Sequence, residues 1–149
     1  MDVERVEEIE EDFENFVRTK LDHCEGRNLP ANFVPYTELW MIDTHYAEEQ
    51  ATVVGRISLR HQLNEALTTF GGHIGYEVRP SARRKGYATK ALALMLEHAK
   101  AQGLENVMLT CADDNVASIK VIEANGGALI DKLKSEHRPV ETRRYRIKL

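Results

Sequence analysis

The stretch Gly75–Thr89 constrains the fold most. It reads Gly-Tyr-Glu-Val-Arg-Pro-Ser-Ala-Arg-Arg-Lys-Gly-Tyr-Ala-Thr. The pattern is a strand ending near Arg79, a short turn, and a helix that opens within the basic run Arg83-Arg84-Lys85. Gly86 and Ala88 are small, so a ligand can approach the backbone there. A helix N-terminus offers unpaired N–H groups and the positive end of a dipole, which together suit an anion such as a diphosphate.

The rest of the chain supplies elements of both kinds. Val3, Val6, Ile9, Phe13, Phe16, Val17, Leu21 and Cys24 recur every three or four residues and predict an amphipathic helix over 3–24. It reads first as a packed surface helix and second as a partner-binding one. A loop follows over 26–37. Thr37–Asp43 and Ala51–Leu59 read as strands of a hairpin turned by Tyr46–Gln50, with Gly55 marking a bulge or a close backbone approach. His61–Leu67 suits one helical turn. His73–Arg79 is the next strand, Arg84–Gln102 a strong helix, Asn106–Cys111 a short buried strand and Asn115–Asn125 a second helix. Ala128–Lys134 and Val140–Leu149 are two closing strands joined by Ser135–Pro139. This order predicts an α/β (α+β) domain with a mixed sheet and helices on its faces, one domain over residues 1–149.

Composition narrows the function classes. Residues 1–25 hold ten acidic and three basic residues, a net charge of −7, whereas the remainder carries +3. The body of the domain therefore suits an anionic ligand, although the overall −4 argues against a globally basic nucleic-acid binder. Cys24 and Cys111 lie in no paired motif, which argues against a disulfide scaffold or a zinc site. No apolar run is long enough to cross a membrane and no signal peptide opens the chain, so the cytoplasm is the expected location.

Arg83, Gly86 and Ala88 stand at the spacing R-x-x-G-x-A between a strand and a long helix. One strand later comes the Asn-led helix Asn115-Val-Ala-Ser118. Together these resemble the GNAT superfamily of acetyl-CoA-dependent N-acetyltransferases over roughly residues 36–134. The resemblance implies a mostly antiparallel sheet splayed at its middle. It implies that Arg83, Arg84, Lys85, Gly86, Tyr87, Ala88 and Thr89 hold the pyrophosphate of acetyl-CoA. Val78 would pair with the pantetheine arm across a gap between Tyr76–Val78 and Met108–Thr110, and Asn115 and Ser118 would touch the cofactor from the second helix. The implied reaction moves acetyl directly to a primary amine on a small molecule or peptide. The alternative within the fold is a domain that binds acyl-CoA without transfer, as a sensor. A nucleotide- or nucleic-acid-binding module is a third reading, unsupported by aromatic–basic alternation or a P-loop lysine.

The sequence also departs from the family. The tyrosine that usually protonates the leaving thiolate falls on Ile122. The usual base positions fall on Gly72, Ile74 and Thr110. Substitute catalytic groups are Tyr76, then Glu77 and His73, with Tyr145 also nearby. Strand alternation puts Tyr76 with Ile74 and Val78 on one face and His73 with Glu77 on the other. Cys111 reads as a buried small residue before a nucleophile. Arg143–Arg146 read as a polar sheet face before an acceptor-side wall. The first strand of the family has no counterpart, so either this branch is shortened or another element fills the hairpin edge, one supplied by the partner in a homodimer included.

Overall fold

The computed structural model describes residues 11–44, 51–135 and 138–149. Val3, Val6, Ile9, the Tyr46–Gln50 turn and part of the last hairpin turn lie outside the described residues. The chain order is α1 (Phe13–Cys24), β1 (Tyr36–Asp43), β2 (Thr52–Arg60), β3 (Ile74–Val78), α2 (Tyr87–Ala101), β4 (Asn106–Ala112), α3 (Val116–Ala124), β5 (Ala128–Ser135) and β6 (Arg138–Lys148). The short helical turn expected at His61–Leu67 instead closes later, as a π-helical turn at Leu67–Gly71. α2 starts three residues after the expected Arg84, because a 3-10 turn at Pro80–Ala82 and a left-handed Arg84 (φ 64°) intervene.

The strands form two antiparallel three-stranded sheets, β1-β2-β3 and β4-β6-β5. The sheets meet at the base of β3, where the His73 N–H donates to the Met108 carbonyl at 2.6 Å. From that seam β3 and β4 part. Gly72 makes the close meeting feasible. Its φ is 69°, and a Cβ there would lie 2.5 Å from the Met108 carbonyl oxygen. Gly55 meets both expectations made for it: the β1–β2 register shifts between Met41 and Ile42 beside it, and a Cβ would lie 2.3 Å from the Glu77 carbonyl oxygen.

The alternation of β3 decides what faces the core. Ile74, Tyr76 and Val78 oppose Leu59, Ile57 and Gly55, while Gly75 and Glu77 oppose Ser58 and Arg56. The first set packs on or in the core with Leu92, Met95, Val107, Leu109, Ile122, Tyr145 and Ile147. Each such buried aliphatic side chain contributes about 1.5–3 kcal/mol. α1 covers the opposite face of β1, where Phe13 meets Trp40 at a ring separation of 6.2 Å and Lys20 pairs with Glu38 at 3.4 Å. α1 buries no residue fully, and its Phe13, Val17 and Leu21 remain exposed. Among the described residues, no helix is long and apolar enough to cross a membrane.

Candidate functional site

A cleft of about 780 Å³ opens where the sheets part. Its walls are Tyr76, Glu77 and Val78 of β3; Ala82, Arg83, Arg84 and Gly86 of the turn; Tyr87, Ala88 and Thr89 of α2; and one side of α3 from Asn115 to Val121. The sequence-predicted set is therefore brought together, with two exceptions: Lys85 lies beside the cleft in the turn, and His73 lies at the seam, and neither lines it. Lys120 is a lining cation outside the sequence-predicted set. Its signal was present, because Val116–Lys120 and Ala117–Val121 are i, i+4 pairs on the cleft side of α3.

The turn is built to receive an anion. Gly86 is the N-cap of α2 at φ 81°, and having no side chain it gives the first-turn N–H groups no capping partner. A Cβ built on Gly86 would meet nothing within 4 Å. The wall spacing is fixed by Asn125 at the end of α3, whose Nδ2 donates to the Thr89 carbonyl at 3.2 Å and the Val121 carbonyl at 2.8 Å. The Tyr87 hydroxyl donates to Asp43 and ties the start of α2 to the end of β1. Asn115 caps α3, its Oδ1 accepting from the Ser118 N–H at 3.1 Å. Arg83 turns back onto the strand, where its Nε donates to the Val78 carbonyl at 3.0 Å. That carbonyl keeps a second lone pair for a ligand amide.

Three side chains were singled out for proton transfer, and their surroundings differ. The Tyr76 hydroxyl donates to the Ser118 carbonyl at 3.4 Å, and burial pushes its pKa up, so it is held protonated. Glu77 pairs with Arg56 at 2.7 Å and stays largely exposed. His73 accepts the Met108 N–H on Nδ1 at 2.9 Å, and burial, then the nearby Arg60 charge, hold its pKa down. A neutral ring bound this way carries its hydrogen on Nε2, which leaves no lone pair for a substrate proton. As placed, His73 joins the sheets.

Other candidates are absorbed by structure. Ile122 is fully buried in the core. Tyr145 is also fully buried, its hydroxyl donating to Glu123 at 3.1 Å. Cys111 is buried and its thiol pKa is pushed up by burial. Arg143 pairs with Asp113 on the face of β6 that also carries the buried Tyr145, and Arg144 pairs with Asp131 at 2.6 Å on the opposite face, so both arginines are held in ion pairs but do not share one polar sheet face. No group of three or more metal-ligating side chains occurs among the described residues.

A second, smaller cleft of about 200 Å³ lies on the α1 side of the first sheet, lined by Glu38, Arg56, Ser58, Gly75, Tyr76 and Glu77. Tyr76 and Glu77 line both clefts. The two cavities therefore adjoin along the strand that borders the splay.

A splayed pair of sheets with a helix N-terminus at the gap defines an acyl-CoA N-acyltransferase type of fold. The sequence matches the acetyltransferase (GNAT) domain over residues 4–128, and the chain belongs to that family. A search of curated proteins finds no match. Among solved structures, the chain is similar to a microcin self-immunity acetyltransferase in complex with acetyl-CoA and AMP. The identity is 18%, with 91% of this chain and 69% of that one covered and a TM-score of 0.60. It is also similar to a spermidine N-acetyltransferase from Vibrio cholerae in complex with CoA and spermine, at 17% identity over 76% and 65% of the chains and a TM-score of 0.60. A GNAT-family acetyltransferase from Bacillus anthracis matches at 25% identity over 64% of this chain, with a TM-score of 0.54. This chain spans 58% of that relative's length.

Proposed function

We propose that the chain transfers acetyl from acetyl-CoA to a primary amine. The observation that carries this reading is the junction of two clefts on β3, one ending in an uncapped helix N-terminus and the other lined by polar side chains. The first-turn N–H groups of α2, with Arg84 and Lys120, fit the diphosphate of CoA, and the open space over Gly86 lets phosphate approach the backbone. Asn115 and Ser118 face the pantetheine region, and Lys85 adds charge at the rim. Acetyl-CoA supplies an activated thioester. Its carbonyl would lie near Tyr76–Val78, where β3 leaves its neighbour.

The amine attacks as its neutral form. For a lysine-like amine this costs roughly 4–5 kcal/mol at pH 7. A base lowers that cost by taking the proton, and Glu77 is the carboxylate present where the clefts adjoin. The nitrogen forms a bond to the carbonyl carbon, and the carbon–sulfur bond breaks. The sulfur departs with the electron pair and is protonated to the free thiol. Tyr76, held protonated, is the hydroxyl positioned to give that proton. The balance is one acetylated amine, one CoA thiol and one proton released.

A second reading, acyl-CoA binding without transfer, is favoured by the buried Ile122 and the engaged His73. A thiol-release screen with acetyl-CoA across amine classes separates the two. Amine-dependent release supports transfer, and CoA binding with no release from any amine class overturns it.

A further inference from the structure

The smaller cleft has an imbalance of charge. Its two carboxylates are already matched: Glu38 with Lys20 at 3.4 Å and Arg56 at 3.9 Å, and Glu77 with Arg56 at 2.7 Å. Arg60 lies two positions beyond Ser58 on the same face of β2. It is half-buried and has no carboxylate partner among the described residues. Its Nη1 donates only to the carbonyls of Gly71 and Gly72, at 3.4 and 3.1 Å. Burial lowers its pKa, as expected of a cation without a counter-charge.

The position of that charge relative to the cleft is defined by Gly75. A methyl carbon placed on Gly75 would lie 3.6 Å from Ser58 Oγ and 3.8 and 3.9 Å from Arg60 Nη1 and Nη2. The bare backbone of Gly75, a lining residue, thus has beside it one guanidinium without a carboxylate and the Ser58 hydroxyl, which donates at a long 3.4 Å to the Gly75 carbonyl and would turn from it to meet a ligand oxygen. An oxygen resting over Gly75 comes within reach of both. Arg56 stands one place further along the same face, and Glu77 sits two residues from Gly75, about 7 Å along the strand. A planar guanidinium is a matched receptor for a carboxylate.

We infer that the acceptor is a small amino carboxylate, an amino acid or a short peptide, whose carboxylate is held over Gly75 by Arg60 and Ser58 while its amine reaches toward Glu77. This rests on the acetyl-transfer reading for the meaning of the amine end. The carboxylate end stands on the position of Arg60, which does not line the small cleft itself but lies beside its lining residue Gly75. A polycation is disfavoured, because it needs two carboxylates, whereas Glu38 is held by both Lys20 and Arg56 and Glu77 can turn from Arg56 to one amine only, and the charge left over among the described residues is the positive one of Arg60.

The test reads binding, so it does not require turnover. The CoA-saturated protein is titrated with a panel of N-acetyl amino acids and their matching N-acetyl amino acid amides, with spermidine as the polycation. CoA binding is measured in the same series and reports separately on the larger cleft. The carboxylates are expected to bind about tenfold or more tighter than their amides. Arg60→Gln should erase that ratio and Arg60→Lys should retain part of it, with CoA affinity unchanged in both. Equal binding of acid and amide, tighter binding of spermidine, no binding of any carboxylate, or an acid-to-amide ratio unchanged by Arg60→Gln would overturn the inference.

Discussion

Replacing Gly86 with leucine isolates the cofactor role of the turn from its structural role. At φ 81° any side chain meets left-handed strain, which costs about 1–2 kcal/mol. No clash adds to that, because a Cβ at Gly86 has nothing within 4 Å. Gly103, just past the end of α2, is the matched control, with φ 85° and equally open surroundings. Gly103→Leu should therefore carry a similar penalty. For a chain of this size each variant should melt about 2–8 °C lower. Only Gly86→Leu puts carbon into the space assigned to the diphosphate. Calorimetric titration with CoA should give a loss of more than about tenfold, roughly 1.4 kcal/mol, for Gly86→Leu and no change for Gly103→Leu. Equal CoA affinity in the two variants would refute the reasoning, because the strain is shared and only the place differs.

Further expectations follow from the same geometry. Tyr76→Phe should leave CoA affinity intact and lower kcat about a hundredfold if the hydroxyl protonates the thiolate; an unchanged kcat removes Tyr76 from the chemistry. His73 has its pKa held below the ordinary 6.5, so the unfolded chain binds the proton more readily. Stability should thus be full above about pH 6.5 and fall as the pH drops below it, and denaturant melts of His73→Gln should show a shallower fall. His61 is shifted in the same direction and leaves a residual slope. Asn115→Ala removes the α3 cap and should cost about 1 kcal/mol in the same melts. Leu92→Ala, at a fully buried site, should cost about 2–5 kcal/mol.

The order of elements was legible because each helix and strand carries its own period. The face assignment of β3 was equally readable, since Ile74, Tyr76 and Val78 alternate with Gly75 and Glu77 without a bulge. The start of α2 was not, because the 3-10 turn and the left-handed Arg84 are decided by local backbone geometry and not by apolar spacing. His73 was read as a titrating group. Its bond to Met108 joins residues 35 apart, a pairing no local pattern encodes. The inward turn of Arg83 onto Val78 is likewise a rotamer choice invisible in the motif. No local pattern distinguishes Arg60 in the sequence, and its lack of a carboxylate among the described residues emerges only once the neighbours of β2 are known. The motif spacing sets Ile122 at the place of the family's usual tyrosine, and the structure adds that its side chain is buried in the core.

The central claim is that acetyl-CoA lies between β3, α2 and α3. Amide chemical-shift mapping during a titration with acetyl-CoA tests it most directly. The account predicts the largest shifts in the backbone N–H groups of Val78, Arg84–Thr89 and Asn115–Ser118, with α1 and β5 little affected. Saturable binding whose shifts fall elsewhere, or no shifts at millimolar acetyl-CoA, would contradict it.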